Sequence, residues 1–232
     1  MQEPEILASS ERSIGLLYLS RYPEETHPDG WVYTVHIDGE LLMSSVSPLS
    51  ERMLATYAIE AHKGTGKLKI LVGGLGLGHT AEAALASPRT SLVRVIDRMD
   101  FVIGWIRDGR LPLSELLNGD ERVELVLGDV YADLLGRPTE KWDIILVDVD
   151  HSPEMPLDPA SADFYTVEGQ QRVAQHLAPG GVMGVWSAHD NPPFAAVMAE
   201  AYPESRRQYV EWDVPSEHQT LHNVLFFGRL AL

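Results

Sequence analysis

A short apolar run that leads directly into alternating glycines restricts the fold of this chain more than any other feature. Residues 68–72 are predicted to form a buried strand, and a helix is predicted to begin near His79. The segment between them carries glycines in alternation at Gly74, Gly76 and Gly78. Glycine adopts positive φ angles easily and lets a ligand approach the backbone closely. The first N–H groups of a helix have no partner inside it, so this segment is predicted to form a nucleotide cradle.

From residue 67 onward, apolar runs alternate with helix-like segments. The predicted strands are 68–72, 92–96, 123–127, 142–147 and 182–186, and the predicted helices are 79–86, 99–107, 131–135, 161–177 and 193–201. Continuous apolar strands are typical of a parallel sheet that is covered on both faces. The alternation therefore predicts an α/β fold with a doubly wound, mostly parallel sheet. Two late runs, 206–212 and 221–229, are predicted to add an antiparallel edge.

The first third of the chain has a different pattern. Residues 1–12 are polar and are expected to be frayed, whereas 13–20, 31–37 and 40–45 are predicted to be extended. Asp38-Gly39 separates two of these runs, and an Asp-Gly pair in that position indicates a hairpin. A helix is predicted from Pro48 to about residue 61. The predicted organisation is thus a β arm with a linking helix (13–62), followed by a nucleotide-binding domain (63–232).

Composition restricts the partners of the protein. The 232 residues carry a formal net charge of −16, which disfavours nucleic acid and anionic membranes and attracts cationic small molecules. No cysteine is present, so disulfides and thiolate chemistry are excluded. No signal peptide or apolar run of spanning length is found, so the cytoplasm is the expected location. An exposed hairpin edge could pair with a second copy, which leaves a homodimer open.

Acidic residues follow the later strands at the sheet edge where ligands bind in this fold class. Asp97 comes after the second strand, about twenty residues beyond Gly78, where an acid that binds ribose hydroxyls is expected. Asp129 follows the third strand, and the fourth is followed by Asp148, Asp150 and His151. A single such aspartate could equally be a helix N-cap. Their succession favours a nucleoside site.

This order of motifs resembles that of class I S-adenosylmethionine-dependent transferases. Residues 31–187 resemble more narrowly the spermidine synthases, a group of aminopropyltransferases. The shared motifs are a turn at the end of the β arm, an acidic loop after strand four, a helix start and a glycine turn: Ile37-Asp38-Gly39, Val147-Asp148-Val149-Asp150, Asp163-Phe164-Tyr165 and Pro179-Gly180-Gly181.

The resemblance implies roles for individual residues. The donor would be S-adenosylmethionine or its decarboxylated form, bound by Gly74, Gly76, Gly78, Asp97, Asp129 and Val130. Asp97 would bind the ribose diol and Asp129 the adenine amino group. Asp148, Asp150 and His151 would form the catalytic set, and Tyr165 would join Asp148 and Asp150 around a small amine acceptor. An amine arrives protonated, so a carboxylate such as that of Asp148 must orient it or take its proton before attack.

Departures from the spermidine synthase pattern leave alternatives open. Gly76 stands where that group has an acid, and Met43 stands where it has a glutamine. Residues 47–52 lack most of the amine-binding groups. Methyl transfer to a small molecule is therefore one alternative, and a non-catalytic nucleoside-binding protein is another. His218 and His222 have the i, i+4 spacing of metal ligands, but a proline precedes them and a strand is predicted to follow, so no metal is expected.

Overall fold

The computed structural model describes residues 4–12, 15–25, 27, 30–214 and 219–232. The amino-terminal part forms a four-stranded antiparallel sheet, which we call the arm sheet. Its strands are β1 (Glu5–Arg12), β2 (Gly15–Pro23), β3 (Trp31–Ile37) and β4 (Glu40–Ser44), in that order. The predicted hairpin joins β3 to β4, with φ angles of +50° at Asp38 and +89° at Gly39. Two positive φ angles in a two-residue turn match the right-handed twist of the strands, which explains the Asp-Gly pair.

The expectation of a frayed amino-terminal segment is wrong for residues 5–12. These residues form β1, which pairs with β2 from Glu5 opposite Arg21 to Arg12 opposite Gly15. Side chains from the larger domain also hold the strand: Arg12 lies 3.2 Å from Asp100, and Arg110 donates to the carbonyl of Leu7 at 2.7 Å. Pairing and tertiary contacts thus override the polar composition, while residues 1–3 lie outside the described part.

Helix α1 (Leu49–Ala61) connects the arm sheet to the rest of the protein and packs between them. Its buried residues Leu54, Ala55 and Ala58 share one core with Leu17 and Leu19 of the arm sheet. The helix approaches the larger sheet so closely that a Cβ atom on Gly184 would lie 3.2 Å from a methyl group of Leu54. Helix α1 is therefore packed closely against the larger sheet.

The larger sheet has seven strands in the order β10-β11-β9-β8-β5-β6-β7. Its strands are β5 (Leu68–Gly73), β6 (Thr90–Asp97), β7 (Val123–Leu127), β8 (Trp142–Val147), β9 (Leu177–Ser187), β10 (Glu204–Val214) and β11 (Gln219–Arg229). The strands from β9 to β7 are parallel, and β10 and β11 form an antiparallel edge. The predicted doubly wound, mostly parallel sheet is confirmed, as is its antiparallel edge.

Helices cover the larger sheet: α2 (His79–Ala86), α3 (Asp100–Arg107), α4 (Ser114–Gly119), α5 (Val130–Leu135), α6 (Val167–Ala174) and α7 (Pro192–Ala201). Helix α4 was not predicted. The helix predicted over 161–177 is divided into a 3₁₀ helix (Pro159–Tyr165) and α6, because Thr166 is extended and caps α6 by accepting from the N–H of Gly169 at 3.0 Å. Within the described residues, no helix has the length and apolar character needed to span a membrane.

Candidate functional site

The glycine turn between β5 and α2 has the predicted backbone geometry. Its three glycines have positive φ angles: +91° at Gly74, +50° at Gly76 and +97° at Gly78. A Cβ on Gly74 would lie 2.1 Å from the backbone oxygen of Asp148, and one on Gly78 would lie 2.8 Å from a methyl group of Leu117. A Cβ on Gly76 would meet no heavy atom within 4 Å. Packing therefore requires glycine at the first and last positions, whereas the backbone at Gly76 borders open space.

Asp97 stands at the end of β6 beside this turn. One carboxylate oxygen accepts from the N–H of Leu75 and the other from the N–H of Met99, both at 2.7 Å. Burial raises the pKa of Asp97, and the backbone donors oppose that effect. A carboxylate oxygen has two lone pairs, so each can still accept from a ribose hydroxyl. Asp97 thus anchors the turn, and its contact with ribose stays a prediction.

Asp129 caps α5, one of the two roles that the sequence left open. Its Oδ1 accepts from the N–H groups of Tyr131 at 3.0 Å and Ala132 at 3.2 Å, and Oδ2 lies 3.7 Å from the guanidinium of Arg98. Val130 is buried and packs against Gly73, where a Cβ would lie 2.8 Å from both of its methyl groups. The contact of these two residues with adenine stays a prediction.

Asp148 follows β8 and lies against the first turn of α2. Its Oδ2 accepts from the hydroxyl of Thr80 at 3.0 Å. Burial, followed by the charge of Glu51, raises the pKa of Asp148 to about 7. Burial also raises the pKa of Glu51, which lies in the first turn of α1. The two carboxyl groups form what we call the acidic pair, in which the charge of Glu51 favours the protonated form of Asp148.

The sequence prediction missed Glu51 and Thr80. Glu51 belongs to the linking helix, and Thr80 belongs to the first turn of α2, which was considered only for its backbone. An acidic residue in the first turn of the helix that follows the arm was the one available signal. Only the packing of α1 against the larger sheet shows that this residue faces Asp148.

Asp150 is buried, at 4% exposure, and both of its carboxylate oxygens accept hydrogen bonds. Oδ2 accepts from the hydroxyl groups of Tyr131 at 2.6 Å and Tyr165 at 2.7 Å, and Oδ1 accepts from the N–H of Leu157 at 2.7 Å. Burial, then neighbouring charge, raises the pKa of both tyrosines. This arrangement, which we call the tyrosine clamp, fastens the loop after β8 to α5. The predicted catalytic role of Asp150 and substrate contact of Tyr165 stay predictions.

His151 is exposed, and its ring packs edge-on against His189 with the centroids 5.4 Å apart. Its backbone oxygen accepts from the N–H of Ala188 at 2.9 Å, so the loop is tied to the end of β9. A catalytic role for His151 is untested. His218 lies outside the described residues, and no group of three or more potential metal ligands occurs within them.

The arrangement suits a ligand that combines a sugar with a cation. Asp97 provides hydroxyl acceptors beside the glycine turn, whose backbone at Gly76 borders open space, and the acidic pair attracts positive charge nearby. Arg52, the neighbour of Glu51, does not neutralise the pair fully because its guanidinium binds Glu82 at 2.9 Å. The residues present therefore fit an adenosyl sulfonium.

Solved structures share this architecture over nearly the whole chain. Spermidine synthase from Thermotoga maritima superposes with a TM-score of 0.72 at 19% identity, covering 97% of this chain and 72% of that one. The chain has the fold of the spermidine synthases. A spermidine synthase in complex with the transition-state analogue AdoDATO gives 0.73 at 18% identity (97% and 73% covered), and a probable spermidine synthase from Corynebacterium glutamicum ATCC 13032 gives 0.66 at 17% (96% and 79%). The resemblance predicted from the motifs is confirmed at the level of the fold.

The curated proteins to which the sequence is similar are named as methyltransferases. Putrescine N-methyltransferase 2 of Nicotiana tabacum is 33% identical over 115 residues, which are 50% of this chain and 31% of that protein. Putrescine N-methyltransferase 2 of Nicotiana attenuata is 33% identical over the same length, covering 50% and 29%. The chain thus spans about a third of the length of these relatives. No model of a known protein family matches the sequence.

Proposed function

We propose that this protein transfers an alkyl group from an adenosyl sulfonium to a small primary amine. The donor is S-adenosylmethionine or its decarboxylated form, and aminopropyl transfer to a polyamine-type acceptor is the first candidate. The acidic pair carries the proposal, because Asp148 lies directly beside the glycine turn that is expected to hold the donor. The fold shared with spermidine synthases and the relation to putrescine N-methyltransferases support an amine acceptor.

The chemistry follows from the positions of the carboxyl groups. A protonated amine is attracted to the acidic pair, and Asp148 accepts one of its protons, since a base with a pKa of about 7 works well near neutral pH. The freed nitrogen then attacks the carbon attached to the sulfonium, so a C–N bond forms as the C–S bond breaks. The electron pair of that bond stays on sulfur, which leaves as a neutral thioether. Glu51 keeps negative charge near the ammonium product.

Methyl transfer is the second candidate, and two observations favour it. Gly76 carries no charge and borders open space, so nothing at this position repels the carboxylate of intact S-adenosylmethionine. The curated relatives are named as N-methyltransferases of putrescine. The same acidic pair serves both reactions, and only the donor differs.

Several expectations from the sequence accompany this proposal. The acceptor is a cationic small molecule, and nucleic acid and membranes are not partners. A cytoplasmic location and an optional homodimer stay predictions. The edge of the arm sheet at β1 provides the strand with which a second copy could pair.

Calorimetry with both donors, followed by mass spectrometry after incubation with diamines, tests the function. Tight binding of the decarboxylated donor and an acceptor heavier by one aminopropyl group establish the first candidate. Binding of intact S-adenosylmethionine with addition of one methyl group overturns it in favour of the second. Binding without any product supports the non-catalytic alternative and overturns both.

Asparagine variants of two aspartates, one within β8 and one directly after it, provide a matched comparison of turnover. Asp148→Asn is expected to lower turnover at least a hundredfold while donor binding persists. Asp143 lies near the opposite end of β8, and Asp143→Asn is expected to retain turnover. Equal loss in both variants would show that Asp148 acts through stability alone.

A further inference from the structure

Ser50 occupies a buried position between the acidic pair and two strands of the larger sheet. It is 1% exposed, and its hydroxyl oxygen lies 2.9 Å from each of three polar atoms. These are Oε2 of Glu51, Nε1 of Trp186 on β9 and Oδ1 of Asn223 on β11. Neither the sequence motifs nor the proposed reaction assigns a role to Ser50.

A serine hydroxyl has one hydrogen to donate and two lone pairs to accept with. The indole N–H of Trp186 can only donate, so it occupies one lone pair. The hydrogen of Ser50 then has two competing acceptors, and a carboxylate is a stronger acceptor than an amide oxygen. Ser50 therefore donates to Glu51.

Asn223 completes the arrangement when its amide is turned so that the NH₂ group faces Ser50. The two orientations of an asparagine amide occupy nearly the same space. The turn gives up a contact of 3.5 Å between Nδ2 and the carbonyl of Ala188 and places the amide oxygen beside that carbonyl instead. Ser50 then accepts from Trp186 and Asn223 and donates to Glu51, and every bonding position of its hydroxyl is filled.

We propose that Ser50 is a positioning residue that keeps Glu51 ionised, so that Asp148 is the member of the acidic pair that takes up and releases a proton. This proposal rests on the proposed function for its chemical meaning, because it makes Asp148 the group that exchanges a proton with the amine. Burial raises the pKa of Glu51, and the hydrogen bond from Ser50 is among the contacts that lower it. The charge retained on Glu51 in turn raises the pKa of Asp148.

Other charged groups around α1 are engaged elsewhere or point away. Arg52 also lowers the pKa of Glu51, but its guanidinium binds Glu82, which lies 3.6 Å from His79 on α2. The remaining charged residues near α1 belong to the strands β10 and β11. Arg206 stacks on Tyr57 toward the other end of α1, Arg229 pairs with Glu204, and His222 lies on the opposite face of β11 from Asn223. Among the described residues, Arg52 and Asp148 are thus the charged groups that interact electrostatically with Glu51.

Carboxyl ¹³C NMR on the free protein tests the proposal without any turnover. The Asp148 and Glu51 signals are assigned with Asp148→Asn and Glu51→Gln and are then followed from pH 4 to 9. In the wild type, the transition in the neutral range is expected mainly on Asp148. In Ser50→Ala, at least about a third of the change in carboxyl chemical shift in the neutral range is expected to appear on Glu51 instead of Asp148. The midpoint of the titration of the two groups is expected to rise by a few tenths of a pH unit.

Ser20→Ala is the matched control, since it also removes a buried serine hydroxyl, but from the arm sheet, where Ser20 bonds to Thr34. This variant is expected to keep the wild-type titration. Trp186→Phe removes a donor to Ser50 but leaves its hydrogen on Glu51, so it is expected to retain most of the Asp148 transition. If Ser50→Ala shows the wild-type distribution, or if Ser20→Ala shows the same change, the proposal is overturned. Absence of transferase activity would overturn the proposed function but leave this titration result unchanged.

Discussion

The carboxylate of Asp97 accepts a hydrogen bond from the backbone N–H of Leu75 at 2.7 Å, so the end of β6 fixes the glycine turn that follows β5. The residue expected to bind the ribose of the donor is therefore also part of the structure that cradles it. Loss of this carboxylate affects the ligand directly and through the shape of the turn.

Asp97→Asn is expected to weaken binding of S-adenosylmethionine at least tenfold, because an amide presents one acceptor atom where the carboxylate presents two. Calorimetry measures the effect. Asp100→Asn is the control, since Asp100 follows Asp97 closely in the chain but is exposed and pairs with Arg12. Unchanged affinity in Asp97→Asn would refute the assignment of the nucleoside site.

Two alanine substitutions in the glycine turn are expected to differ in their effect. Gly74→Ala should lower the free energy of unfolding by about 3 kcal/mol or more, because the new Cβ meets the backbone of Asp148 in addition to the strained φ angle. Gly76→Ala should cost about 1 kcal/mol, because only the φ angle is unfavourable. Urea denaturation measures both. Equal losses would show that the close approach to Asp148 contributes nothing.

The tyrosine clamp predicts a stabilising role for Asp150. Asp150→Asn is expected to lower the free energy of unfolding by about 3 kcal/mol, and Tyr131→Phe by about 1–2 kcal/mol, since each leaves buried polar groups without their partners. Tyr209→Phe removes a hydrogen bond of similar length to Asp190 on the surface and should cost less than about 0.5 kcal/mol. A neutral Asp150→Asn with lost turnover would instead favour the catalytic role predicted from the sequence.

The acidic pair makes stability depend on pH. The pKa of Asp148 rises from its ordinary value of 3.8 to about 7 on folding, so the folded protein binds this proton more tightly than the unfolded chain does. The resulting stabilisation is fully present below pH 4 and is lost as the pH rises through 7. Asp148→Asn should therefore be more stable than the wild type at pH 8, by about 1–2 kcal/mol after allowance for solvent at this partly exposed group.

Thermal unfolding of both proteins at pH 5 and pH 8 checks this prediction. The advantage of the variant should be smaller at pH 5, where Asp148 is protonated in the wild type. Asp143→Asn removes a carboxylate that accepts from the N–H of Lys69 at 2.8 Å, so it should be destabilising at both pH values. An advantage of Asp148→Asn that does not change with pH would contradict the raised pKa of Asp148.

Much of the fold followed from local patterns. The apolar runs at β5 and β8 predicted buried parallel strands, and the Asp38-Gly39 pair predicted its hairpin, because each depends on neighbours in sequence. Strand β1 was missed because its polar residues are ordered by pairing with β2 and by Arg110. The break at Thr166 was missed because a close contact between Gly169 and the carbonyl of Asp163 forms only in the folded chain.

By itself, the sequence determined the glycine turn and the order of acids at the strand ends, since strand, turn and acid are adjacent in the chain. Tertiary structure alone decided which groups surround each of those acids. Asp150 is enclosed by two phenol groups, whereas Asp148 faces Glu51, a residue of the linking helix. The physical reason is that a carboxylate takes its character from burial and from the charges and donors near it in space, and α1 brings Glu51 to Asp148 only by packing on the sheet.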